Sequence, residues 1–112
     1  MTTAFADEAV LVHEMGHLSD QHIARATGAK PSTVRGWLKR TSSPTGARAE
    51  RLAELSAIVT RLMRVMKPDY IPVWMTKPIE ALDDEKPLDL IGRGEYRRVS
   101  ALVRNLEHPG AV

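Results

Sequence analysis

The 112-residue chain contains no cysteine, so neither a disulfide framework nor thiolate chemistry can be built from it. That absence fits a reducing compartment. Aromatic side chains are scarce, with one Phe, two Trp and two Tyr. The core must therefore be made mostly of Leu, Val, Ile, Met and Ala. No apolar run approaches the ~18 residues that span a bilayer, so no membrane partner is expected. The opening MTTAFADEAVLV has Asp7 and Glu8 and no Lys or Arg before its short apolar run, unlike a secretory signal. The expectation is a soluble, cytoplasmic protein. A glycine-rich phosphate loop is also missing. Ser42, Ser43 and Ser56 have no recognisable histidine and acid partners, so no serine triad is expected. There is no strand-like alternation of useful length and no internal repeat. These absences leave an all-α chain, either one compact domain or two small ones sharing a core.

What is present is an uneven charge distribution. The net charge is only +2. Residues 1–20 hold Asp7, Glu8, Glu14 and Asp20 with no Lys or Arg. Residues 21–67 hold ten Lys and Arg against Glu50 and Glu54 alone. Residues 68–112 are slightly acidic, with six basic and eight acidic groups. A basic cluster of that kind attracts a polyanion and releases its counterions. A solvated, Arg-rich helix surface carries the same surplus.

Local pattern moves the balance toward nucleic acid. Residues 18–40, LSDQHIARATGAKPSTVRGWLKR, have the layout of two short helices joined by a tight turn. Ser19 is a helix N-cap, because its hydroxyl can accept from an orphan amide of the first turn. Ile23 and Ala24 give a small apolar face. Gly28 can take the left-handed conformation that ends the helix. Pro31 suits the first position of the next helix, where no amide hydrogen is needed. Val34, Trp37 and Leu38 then form one stripe. Lys30, Ser32, Thr33, Arg35, Lys39 and Arg40 are left for phosphates and base edges, as in a helix-turn-helix.

The remaining periodicity predicts a helix over residues 6–15, with Phe5, Ala9, Val10 and Val12 among its apolar residues and Gly16 as its stop. The two short helices cover 20–27 and 31–39. Residues 41–46, TSSPTG, form a linker of turn-favouring residues. A long helix follows over 47–66, with Leu52, Leu55, Val59, Leu62 and Met66 at alternating spacings of three and four. That seam serves either an internal core face or a dimer contact. Beyond Pro68, prolines 72, 78 and 87 cut the chain into short pieces. Asp69 can cap a brief helix through Trp74, which is expected to be a buried aromatic beside Pro78, with a partner contact as the alternative. Pro87 opens another short helix that Gly92 stops. A last helix over 95–107 carries the stripe Tyr96, Val99, Leu102, Val103 and Leu106. Glu95 sits at its positive end and Arg104 near its negative end.

His13-Glu14-Met15-Gly16-His17 matches HExxH by letter. On a continuous helix, that spacing aligns two imidazoles with a glutamate that activates a zinc-bound water. Gly16, however, is a stop rather than a helix interior. His22 is also too near for the extended pattern, and Asp20 stands where that pattern needs Gly. Surface histidines near a helix end are the expectation, and no metal, cofactor or catalytic residue is assigned.

One further set of residues is informative: Trp74-Met75 with Pro78, Leu82, Pro87-Leu88-Asp89-Leu90, Gly94-Glu95 and Val99. With the helix-turn-helix and long helix ahead of it, this order resembles the Xre/MbcA/ParS antitoxins, the partners of RES-domain toxins. The resemblance covers about residues 50–107 and, with the N-terminal unit, nearly the whole chain. It implies an all-helical, non-enzymatic protein. Residues 1–46 would form a DNA-binding unit, and residues 47–112 a long helix plus a toxin-binding module. Such antitoxins cover the active site of a toxin that destroys NAD, with the C-terminal helix and tail reaching toward the NAD pocket. Many also repress their own operon. The implied toxin contacts are Gly94, Glu95, Arg97, Arg98, Arg104, His108, Pro109, Gly110, Ala111 and Val112. The implied partners are a RES-domain toxin and operator DNA, in a homodimer or a higher hetero-oligomer with the toxin. The chain departs from the family at Gly36, which weakens the recognition helix by up to ~1 kcal/mol relative to Ala. The alternatives are a free-standing helix-turn-helix regulator and, more remotely, a zinc hydrolase through His13, Glu14 and His17.

Overall fold

The computed structural model describes residues 4–110. The Phe5 side chain, Ala111 and Val112 lie outside the described set. Among the described residues there are seven α-helices, two single 3₁₀ turns and no strand. The helices are α1 (Ala4–Glu14), α2 (Asp20–Thr27), α3 (Pro31–Leu38), α4 (Gly46–Leu62), α5 (Ile71–Thr76), α6 (Pro87–Gly92) and α7 (Tyr96–Glu107). The 3₁₀ turns, Pro68–Tyr70 and Glu80–Leu82, flank α5. No helix among these residues is long and apolar enough to cross a membrane.

Several of the local signals set helix ends as expected, and two do not. The Ser19 hydroxyl accepts from the His22 amide at 3.1 Å, and the Ser19 amide donates to His22 Nδ1 at 3.1 Å. This is a capping box with His in the place usually held by Glu or Gln. Gly28 ends α2 at φ 78°, and Pro31 opens α3. Proline also opens α6, at Pro87. The long helix stops at Leu62 rather than Met66. Its last amides tighten into i→i+3 bonds, Arg64 to Arg61 at 3.1 Å and Val65 to Leu62 at 3.0 Å. Lys67-Pro68 then forces extended backbone. Asp69 caps nothing and instead pairs with His17 at 2.9 Å.

One apolar cluster runs from Ala9 to Val103, through every helix. Trp37 and Trp74 are both buried in it, as are Leu52, Leu55, Val59 and Leu62. The α4 seam is therefore consumed inside the chain and is an internal core face. Helix α4 is the axis of the molecule and packs against α1, α2, α6 and α7. Leu106 departs from the expected stripe of α7 and is 37% exposed. The inward position of that last turn is taken by Glu107, whose carboxylate bonds Arg61.

The capping box predicts a pH effect. Burial first, and then the positive charge of Arg25, hold the His22 imidazole below its ordinary value. As pH falls, the unfolded chain takes up this proton before the folded one. The associated stability is complete above about pH 6.5 and is lost as pH falls from there to the depressed folded value. Nδ1 must also be unprotonated to accept from Ser19. His22→Gln keeps an acceptor without a titration, so its melting temperature should fall less on acidification than that of wild type. Parallel slopes would show that the box does not titrate.

Candidate protein- and nucleic-acid-binding faces

Two surfaces correspond to the candidate residues. The first is α3 with its approaches. Lys30, Ser32 and Lys39 are exposed, and Thr33 is half-buried. Arg35 and Arg40 are exposed but engaged. Arg35 donates to Asp20 at 2.7 Å, and Arg40 donates to Asp7 at 2.5 Å. Asp7 and Asp20 thus cover part of the basic cluster. Hydrogen bonding to Arg35 is the main cause that holds the Asp20 carboxyl below its ordinary range. Gly36, in α3, lies where the chain turns back after that helix. The chain leaving α3 folds back on it, with the Thr41 amide 2.9 Å from its carbonyl. A Cβ there would lie 2.6 Å from Ser42 Oγ.

The second surface is α7 and the turn before it. Gly94 turns the chain at φ 86°, and Glu95 occupies the N-cap position of α7 without capping it. Its carboxylate accepts from Arg98 at 2.9 Å and Arg93 at 3.0 Å, and both bonds lower its pKa. Arg98 also reaches Asp83 at 3.0 Å and the Leu82 carbonyl at 3.3 Å, tying α7 to the second 3₁₀ turn. Arg93 pairs with Glu85 as well. These two arginines are internal braces. Arg97, Ala101, Arg104 and His108 recur at helical spacing and are all exposed. Among the described residues, Arg97 and Arg104 have no acidic partner. Pro109 and Gly110 are exposed beyond them, while Ala111 and Val112 lie outside the described residues.

Sequence reasoning missed the underside of this surface. Arg51, Glu54 and Arg61 lie on the flank of α4 beside its apolar stripe. Arg51 bonds Glu54 at 3.0 Å and sits under Gly94. Glu50, Arg51, Glu54 and the start of α7 enclose a cleft of about 450 Å³. Arg61 donates to Glu107 and Ser100, 46 and 39 positions away. Arg51, Glu54 and Arg61 stand at helical spacing with the buried Ile58 between them, so the polar members border the apolar stripe rather than lie on it.

The HExxH letters do not form a site. Helix α1 ends at Glu14, and His17 has φ 58°. His13 Nδ1 lies 2.8 Å from the Leu18 carbonyl, while His17 faces Asp69. No cluster of three or more His, Asp or Glu suited to a metal occurs among the described residues.

No protein-family model matches the chain. Individual relatives do. The mycobacterial cidal antitoxin MbcA of Mycobacterium tuberculosis is 34% identical over 86 residues, covering 77% of this chain and 76% of MbcA. MbcA of Mycobacterium bovis matches with the same identity and extent. Among solved structures, a chain in the crystal structure of the M. tuberculosis MbcT–MbcA toxin–antitoxin complex superposes with a TM-score of 0.86 at 29% identity. That superposition covers 99% of this chain and 100% of the other. The all-helical fold is thus shared along nearly the whole length, and the chain belongs to the MbcA family of antitoxins.

Proposed function

We propose that this chain neutralises a RES-domain, NAD-degrading toxin by direct binding, with α7 and the residues after it covering the toxin's active site. The observation that carries this reading is the pair Arg97 and Arg104. Both project from one exposed face of α7, and neither has an acid partner among the described residues. Planar guanidinium forks left unmatched within the chain suit carboxylates on a partner. The braces at Arg98 and Arg61 hold that face in place before the partner arrives, which lowers the entropy cost of binding. The match to a chain in a toxin–antitoxin complex supports the same partner class. The protein acts in the cytoplasm, by occlusion rather than catalysis. The test is co-expression with the toxin of its own operon. Toxin alone should arrest growth, and both together should restore it and copurify. Rescue without a physical complex would replace inhibition by repression.

We further assign residues 1–46 to operator DNA, and 47–112 to the toxin. Among the described residues, Lys30 and Lys39 are the cations of α3 and its ends without an acid, whereas Arg35 and Arg40 must first leave Asp20 and Asp7. Lys30→Ala with Lys39→Ala should weaken operator binding and lower the salt slope by roughly one unit per lost phosphate contact. Arg35→Ala should do less, and toxin binding should survive all three changes. Wild type with no salt-dependent DNA binding, alone or with toxin, would leave a pure inhibitor.

A further inference from the structure

Helix α7 is secured differently along its length. Val99 and Val103 are buried in the core, but Leu106, in the last turn, is 37% exposed. Apolar packing therefore weakens where the helix ends. In its place stands one side chain from α4. Arg61 donates to Glu107 Oε1 from Nε at 3.1 Å and from Nη2 at 2.6 Å. It also donates to Ser100 Oγ at 2.7 Å and to the Ser100 carbonyl at 3.2 Å. Both charged side chains are about four-fifths shielded from solvent. Hydrogen bonding and charge from this partner hold the Glu107 carboxyl below the usual carboxylate range.

The position of Glu107 is the informative point. A carboxylate at a helix C-terminus opposes the macrodipole, and a helix built for its own stability carries a cation there. Helix ends also fray. Glu107 is the last helical residue, and the chain departs immediately after it. His108 still bonds back to the Arg104 carbonyl at 3.0 Å, Pro109 restricts the next φ, and Gly110 turns at φ 85°. The clamp thus stops fraying where the tail begins.

We propose that Arg61, acting through Glu107 and Ser100, is a positioning residue that sets the direction in which the tail after Glu107 enters the toxin. This rests on the reading that the tail contacts the toxin. Arg61 itself is turned toward α7 and is about four-fifths shielded from solvent.

The test measures toxin affinity for wild type, Arg61→Gln and Glu107→Gln, each as the full chain and without His108–Val112. Amide exchange at Glu107 and His108 is followed alongside melting temperature. In the full chain, both variants should bind roughly tenfold more weakly, as expected when a pre-ordered segment must be ordered on binding. Exchange at the two amides should quicken with little change in melting. In the truncated chain the same substitutions should change affinity no further. Equal losses in full and truncated chains would mean a general structural role and overturn the proposal. Deletion that weakens binding, with variants that do not, would overturn the clamp alone. Deletion without effect would remove the tail reading and the clamp with it.

Discussion

Trp74→Ala should cost about 3–5 kcal/mol, the range for deleting a buried indole and leaving a cavity. Trp74 is 6% exposed and lies in α5, a helix of six residues with no side-chain cap. Helices that short hold together by packing rather than by propensity. Total stability for such domains is about 5–15 kcal/mol, so the loss removes a large share of it. The melting temperature should fall by on the order of 20 °C. Trp74→Phe, which refills most of the volume, should lose much less. A melt that hardly moves for the Ala variant would contradict the burial and return Trp74 to the list of partner contacts.

Charge reversal on α7 should have the largest effect on inhibition. Arg97→Glu with Arg104→Glu should weaken toxin binding by at least ~100-fold. Two attractive forks become two repulsive charges facing the same carboxylates, and like-charge juxtaposition costs several kcal/mol. Both side chains are exposed, and neither has an acid partner among the described residues. Folding stability should therefore change by no more than about 0.5 kcal/mol per site, as for other surface substitutions. Lys67→Glu, also exposed but distant in sequence, serves as the charge control. Toxin growth rescue and a binding isotherm report the outcome. Unchanged affinity would show that the exposed face of α7 is not the toxin contact.

The burial of Trp74 was readable from an apolar, proline-bounded segment, because a single large aromatic in a chain poor in aromatics has few places to go. The special standing of Arg97 and Arg104 was not readable. In the sequence, Arg93, Arg97, Arg98 and Arg104 are equivalent forks on one stretch. In the structure, Arg93 and Arg98 are spent on Glu85, Glu95, Asp83 and a carbonyl, which leaves the other two. The same sorting occurs on the DNA side, where Asp20 and Asp7 engage Arg35 and Arg40 and leave Lys30 and Lys39.

The sequence by itself determined the elements of this protein: the box at Ser19, the left-handed Gly28, the prolines at 31 and 87, and the stripes of α3, α4 and most of α7. These are short-range effects. A cap or a proline acts within one turn, and periodicity reports which face of a helix is apolar. Only the tertiary structure decided what each face meets. It spent the α4 seam inside the chain, paired Asp69 with His17 instead of a helix end, and turned Leu106 outward in favour of Glu107. The charged partners stand 15, 33 and 46 positions apart. An ion pair depends on separation in space, and no local rule fixes a distance across that length of chain.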